Sequence, residues 1–253
     1  MVISEEFSGK VAIVTGSGRD IGKTVAERLA ALGAKVIVND YDSKLADNTV
    51  ESIRRSGGNA VAVSGDVALK DDVHRVVENA IEWAGPVQVL INNVGVLRPT
   101  KVVEIDEDEW DMVIDVNLKG TYLFSRAALP SMQRSGWGRT VNFSSTAGKN
   151  VSTIGGAHYT AAKAGILGFT RHLAKEIEYY GIIVNAVCPG LTNTEMVRAT
   201  INPDQLENYT ENFSIPRIGE PEEVADLVVF LVSDKSRYIT GASLDINGGD
   251  LMV

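Results

Sequence analysis

Short apolar runs alternate along the chain with longer stretches in which apolar residues recur every three or four positions. Val11–Val14 (VAIV) reads as a buried strand, and Ile21, Val25, Leu29 and Leu32 follow it at helical spacing. Val36–Val38 reads as a second strand, followed by a polar helix from about Ser43 to Ser56. Ala60–Val63, Val89–Ile91, Thr140–Phe143 and Ile182–Val187 continue the strands, and Ser243–Ile246 ends the series. Helical patterns over Asp71–Trp83, Trp110–Met132, Tyr159–Tyr180 and Pro221–Val232 lie between or after them. Strands that are apolar at every position are buried on both faces. Their alternation with helices predicts an α/β fold, a doubly wound parallel sheet with helices on each side. No Pro/Ser-rich linker or internal repeat divides the chain, so one domain over residues 1–253 is expected. Leu191–Arg217 sustains neither period and is long for a plain connection, which predicts a lid over a site.

Charge narrows the classes of partner. The 253 residues carry a formal net charge of −9, the opposite of the basic footprint of a nucleic-acid or anionic-membrane binder. No apolar run approaches the roughly 18 residues that span a bilayer. MVISEEFSGK lacks the basic start and apolar run of a secretory leader, so a cytoplasmic protein is expected. The single cysteine, Cys188, excludes an internal disulfide and reads as a small buried apolar residue. His74, His158 and His172 show no metal-ligand spacing, and no metal site is expected. No Gly-x-Ser-x-Gly elbow supports serine hydrolysis.

Thr15–Gly22 (TGSGRDIG) follows a strand and opens a helix. That is where a glycine turn lets the backbone approach a pyrophosphate at a helix N-terminus. Asp40 ends the second strand, 24 positions after Gly16. An acid at this point accepts hydrogen bonds from an adenosine ribose and repels a 2′-phosphate, which favours NAD over NADP. Arg19 is the counterweight, a base in the same loop. Asp20 is expected either to weaken cofactor affinity or to cap the helix that follows.

Tyr159 and Lys163 stand four apart. At 100° per residue they share one stripe with Ile166, Thr170, Leu173 and Ile177, the inward face of their helix. Lysine seldom sits there unpaired. An ammonium beside a phenol is expected to lower the phenol's pKa and suit it to proton exchange with an alcohol or alkoxide.

Taken in order, TGSGRDIG, Asp66-Val67, NNVG at Asn92–Gly95, Asn117, SSTAG at Ser144–Gly148, YTAAK, and CPG at Cys188–Gly190 resemble the classical short-chain dehydrogenase/reductase family. The resemblance runs from SGKVAIVTG to ITGASLDINGG. It implies a Rossmann-like fold, with Tyr159 as general acid/base and Lys163 tuning it while holding the nicotinamide ribose. It further implies that Ser145 binds the substrate oxygen and that Asn117 holds a relay water. Gly16, Arg19, Ile21 and Gly22 would line the pyrophosphate. Asp40 would bind the adenosine ribose, Asp66 and Val67 the adenine, Asn93 and Gly95 the neighbouring ribose, and Thr192 the nicotinamide carboxamide. A homotetramer is implied as well. Ser144 and Thr146 flank Ser145, which leaves its assignment open by one position.

Two departures stand out. Asp20 replaces a glycine of the family's T-G-x-x-x-G-x-G, and Val94 stands where alanine is usual. The expected activity is NAD(H)-dependent interconversion of a secondary alcohol and a ketone. A 3-oxoacyl-acyl-carrier reductase using NADPH, or a nucleotide-binding module without turnover, are the alternatives. The substrate pocket is expected from Leu97–Thr100, Lys149–Ile154 and Thr194–Ile215, where Arg98, Lys149 and Arg198 allow an anionic substrate.

Overall fold

In the computed structural model, which describes residues 6–253, seven strands form one parallel sheet in the order β3-β2-β1-β4-β5-β6-β7. The strands are β1 (Val11–Thr15), β2 (Lys35–Asn39), β3 (Asn59–Ala62), β4 (Val87–Asn92), β5 (Gly138–Phe143), β6 (Ile182–Pro189) and β7 (Ser243–Ile246). Each expected strand is present, most extended by a residue or two into flanking polar positions. The doubly wound fold follows directly from this order.

Alternate strand residues feed two cores. Ala12, Val14, Val36, Val38, Val89 and Ile91 point to one face. There they meet α1 (Asp20–Ala31), α2 (Ser43–Arg55) and α9 (Pro221–Val232). Val11, Ile13, Ile37 and Leu90 point to the other face. It is covered by α3 (Lys70–Ala84), α5 (Gly120–Ser135) and α6 (Ala157–Glu176). Burial on both faces explains why the strands carry no polar alternation.

The chain leaves β1 toward β2 on one side and resumes with β4 on the other. The connections that leave the carboxyl ends of β1 and β4 therefore run in opposite directions, and open α/β sheets bind ligands in the crevice this leaves.

Two elements differ from their sequence expectations. The helix expected over Trp110–Met132 is three segments: α4 (Glu107–Ile114), a π-helical turn over Asp115–Lys119, and α5. Within it the Thr121 hydroxyl donates to the Asn117 carbonyl at 2.8 Å. Gly120 packs on Val67, where a Cβ would stand 2.8 Å from Cγ2. A single wide turn breaks no apolar period, so the pattern hid it. The segment expected to be irregular holds two short helices, α7 (Glu195–Thr200) and α8 (Pro203–Thr210). Asn202 and Gln205 cap α8 reciprocally, with Pro203 at its first position. Among the described residues no helix is long and apolar enough to cross a membrane. No group of three His, Cys, Asp or Glu among them could hold a metal ion.

Candidate active site

A cleft of about 440 Å³ opens over the carboxyl ends of β1 and β4. Gly16, Arg19, Ile21, Gly22, Asp40, Asp66, Val67, Asn93, Gly95, Ser145, Tyr159, Lys163 and Thr192 all line it. Residues spread over nearly 180 positions of sequence thus converge on one cavity. Asn117 stands just behind the wall, fully buried.

The glycine turn leaves no room for side chains. A Cβ on Gly22 would stand 2.2 Å from the Gly16 carbonyl oxygen, and Gly16 itself has a φ of 61°. The Asn93 amide donates to the carbonyls of Thr15 and Gly16, both at 3.0 Å, tying the turn to the end of β4. A backbone cradle this close to a helix N-terminus fits a pyrophosphate.

At the far end, Asp40 is anchored by two backbone amides. Its Oδ2 accepts from Gly18 at 3.0 Å and its Oδ1 from Asp42 at 3.1 Å. Asp66 Oδ1 accepts from the Ala68 amide at 2.9 Å. Thr192 is buried, its hydroxyl directed at the Gly190 carbonyl at 3.4 Å.

Asp20 does not cap its own helix. Arg19 is the N-cap residue of α1, with no side-chain capping bond. The Asp20 carboxylate instead reaches across the cleft and accepts from the Glu195 amide at 3.1 and 3.2 Å. Arg198 lies 3.9 Å from the same carboxylate, and Arg19 pairs with the Glu195 side chain at 2.7 Å. The glycine turn and α7 are thereby clasped together. Asp20 adopts a φ of 48°, a conformation that aspartate tolerates better than most residues. Sequence spacing gave no sign of this partner, which lies 175 positions away.

Ser145, Tyr159 and Lys163 meet at the centre. Ser145 follows β5 and stands beside the Tyr159 phenol; its hydroxyl is directed at the Pro189 carbonyl at 3.5 Å and accepts from the Ala147 amide at 3.1 Å. Ser144 spends its own hydroxyl on the Lys163 carbonyl at 2.8 Å. Tyr159 and Lys163 lie on α6 as the stripe requires, with Ile166, Thr170, Leu173 and Ile177 buried below. Lys163 Nζ donates to the Phe143 carbonyl at 2.8 Å and sits 5.5 Å from the Tyr159 ring centre.

The electrostatics reverse one expectation. Burial pushes the Tyr159 phenol up to about 12, and the hydrogen bond from Ser145 offsets this only in part. Burial also brings the Lys163 ammonium down to about 8. The ammonium does not hold the phenol below its ordinary value, because the cost of desolvating the phenolate dominates. Tyr159 is protonated throughout the neutral range.

Asn117 occupies the π turn. Its Nδ2 donates to the carbonyls of Val96 at 2.9 Å and Val113 at 2.8 Å, while its Oδ1 is buried with no partner. A Cβ on Gly95 would stand 3.1 Å from that oxygen and 3.3 Å from Lys163 Nζ. A glycine-sized gap thus separates an unsatisfied acceptor from the ammonium.

The substrate end departs from the expected pocket. Leu97, Ser152, Thr153, Ile154, Thr194, Met196 and Val197 line the cleft, but Arg98, Lys149 and Arg198 do not. Lys149 is bound to Asp245 at 2.8 Å, and Arg198 to Asn193 at 2.6 Å. Tyr41 and Asp250 also line the cleft, and nothing in their spacing singled them out.

The fold and this cleft define an open, doubly wound sheet with a ligand-sized cavity at its switch point. The family model described as enoyl-(acyl carrier protein) reductase matches residues 16–250. An uncharacterized oxidoreductase of Thermotoga maritima is 38% identical over 252 residues, covering 98% of this chain and 99% of that one. A 3-oxoacyl-[acyl-carrier-protein] reductase of Synechocystis is 39% identical over 248 residues, 97% of this chain and 98% of its own. The crystal structure of a 3-oxoacyl-[acyl-carrier protein] reductase with bound NAD from Brucella melitensis superposes with a TM-score of 0.92. It is 33% identical and covers 99% of this chain and 94% of that one. The chain belongs to the classical short-chain dehydrogenase/reductase family.

Proposed function

We propose that this protein reduces the ketone of a 3-oxoacyl thioester to the 3-hydroxyacyl compound, with NADH as its reductant. The observation that carries the reading is the meeting of Ser145, Tyr159 and Lys163 in one cleft, with Lys163 Nζ 5.5 Å from the Tyr159 ring centre. A phenol that keeps its proton at neutral pH can act as the proton donor in ketone reduction. The relatives described as 3-oxoacyl-acyl-carrier reductases favour this ketone over a simple secondary alcohol.

In this reading Ser145 Oγ donates to the ketone oxygen and holds it beside Tyr159. A nicotinamide cofactor held in the cleft would supply the hydride. Tyr159 Oη gives its proton to the oxygen as negative charge develops there. Lys163 favours the resulting phenolate and holds the ribose on the same side of the cleft. Asn117 Oδ1, an acceptor with no partner, and Lys163 Nζ both approach Gly95, and the replacing proton would reach Tyr159 by way of Lys163. Gly16, Ile21 and Gly22 would cradle the pyrophosphate, with Asp40 at the adenosine ribose. Asp66, Val67, Asn93, Gly95 and Thr192 keep the positions that the family resemblance gives them.

Substrate charge follows from the lining. Leu97, Ile154, Leu191, Met196 and Val197 are apolar, and Lys149 and Arg198 beside them are engaged elsewhere. Asp250 is the acid at this end of the chain that lines the cleft. A thioester, neutral beside its ketone, suits this lining; the cations that line the cleft, Arg19 and Lys163, are held by Glu195 and by the Phe143 carbonyl.

A panel tests the reading: a short 3-oxoacyl thioester, the corresponding 3-oxo acid and an unactivated ketone, each with NADH and with NADPH. The thioester with NADH should give the highest kcat/KM. Equal or better turnover of the free acid would overturn the substrate assignment. A homotetramer in the cytoplasm accompanies this reading, and light scattering should find four chains per particle.

A further inference from the structure

The buried imidazole next to Tyr159 has no place in the chemistry just described. His158 is fully buried and does not line the cleft. It is the second residue of α6, and Tyr159 is the third. The first amides of a helix have no partner within it, and the N-cap here is Gly156, which has no side chain to offer. His158 fills that role: its Nδ1 accepts from the Tyr159 amide at 2.9 Å.

That bond fixes the tautomer. With Nδ1 accepting, the neutral ring carries its proton on Nε2, which donates to Glu109 Oε1 at 3.0 Å. Glu109 lies on α4, 49 positions earlier. Hydrogen bonds to Thr100 and His158 hold its carboxyl below the usual range. Trp110 stacks on the imidazole with ring centres 6.3 Å apart. The Gly156 amide donates to the Arg98 carbonyl at 2.7 Å, closing the same knot. A Cβ on Gly156 would stand 2.7 Å from His158 Cε1, so the ring has little freedom. From Glu109, α4 runs directly into the π turn that carries Asn117.

We propose that His158, held by Glu109, is a positioning residue that sets the first turn of α6 and so places the Tyr159 phenol against Ser145 and Lys163. It touches neither substrate nor cofactor. Its effect runs through the Tyr159 backbone, and it locks the tyrosine-bearing turn to the asparagine-bearing turn. The kinetic part of this inference rests on the proposed ketone reduction; the coupling itself does not.

Glu109 variants give the cleaner test, because their side chain is partly exposed and their loss leaves no cavity. Hydrogen–deuterium exchange of the peptide around residues 156–162 reads the Tyr159 amide without any substrate. Glu109→Ala should speed its exchange by about tenfold, whereas Glu109→Gln, whose amide oxygen still accepts, should leave it protected. With a ketone that the wild type reduces, Glu109→Ala should lower kcat by roughly 10- to 100-fold, as expected when a reacting group is misplaced. NADH affinity and KM should stay within about threefold. His158→Asn, whose Oδ1 replaces Nδ1 as acceptor, should recover most of the rate lost in His158→Ala. His158→Gln, which lacks an acceptor at that point, should not. Unchanged exchange in Glu109→Ala, or a loss of thermal stability with kcat intact, would overturn the proposal. Absence of wild-type turnover on every ketone would refute the proposed activity instead, and the exchange measurement would still decide the coupling.

Discussion

Replacing Asp40 with asparagine removes one negative charge from the β2 end of the cleft, the proposed adenosine site, and changes little else in volume. In the wild type both carboxylate oxygens are pinned by the amides of Gly18 and Asp42, so the charge cannot swing away from an incoming phosphate. The nearest base in the loop, Arg19, is already paired with Glu195 at 2.7 Å. A 2′-phosphate would therefore meet an uncompensated carboxylate. Taking a separation of about 6 Å, an effective dielectric of about 40 and a phosphate charge of about −1.5 to −2, the repulsion is ~2–3 kcal/mol. That corresponds to a preference of roughly 10²-fold for NADH over NADPH. Asparagine should abolish most of it by tightening NADPH and weakening NADH slightly, since one amide bond and the ribose contact lose an acceptor. Fluorescence titration of both cofactors against wild type and Asp40→Asn measures the ratio directly. Raising the salt concentration should shrink the wild-type ratio, because the charges face solvent. A wild type that prefers NADPH, or a ratio unmoved by Asp40→Asn, would refute the assignment of Asp40.

Two further perturbations probe the lid and the reaction direction. Asp20→Gly cuts the bond to the Glu195 amide and relieves a positive φ, so folding stability should change little while NADH dissociation, followed by stopped-flow fluorescence, speeds by about five- to tenfold; an unchanged rate would show that the clasp does not hold the lid. Lys163 keeps its charge below about pH 8 and Tyr159 keeps its proton up to about 12. Reductive kcat/KM should therefore be level below about pH 8 and fall above it; a rate that climbs through that range would make Tyr159 a base with a lowered pKa.

The sheet was legible because its strands are buried on both faces, so apolar runs such as VAIV mark them without help from alternation. The cofactor cleft was legible for a related reason. Glycines at 16 and 22 answer to backbone crowding that no other residue relieves, and such positions announce themselves in a sequence. Side-chain pairings across the cleft did not. Asp20 bonds to an amide 175 positions away, and Arg19, which the family resemblance gives to the pyrophosphate, also pairs with Glu195. The acidity of Tyr159 was misread because a four-residue spacing reports an adjacent ammonium but not the desolvation that outweighs it. His158 was discounted for lacking metal-ligand spacing, although its partner is a carboxylate on another helix. The capping of α8 by Asn202, Pro203 and Gln205 was a local signal, masked by the polar composition of that segment.

The central claim is that the phenol of residue 159 delivers the proton during ketone reduction. Its most direct test compares single-turnover NADH oxidation by a 3-oxoacyl thioester in wild type and Tyr159→Phe, with NADH affinity measured in parallel. Loss of this general acid should slow turnover by about 10²- to 10⁴-fold while NADH binds nearly as tightly. A phenylalanine variant that oxidises NADH as fast as the wild type would contradict it.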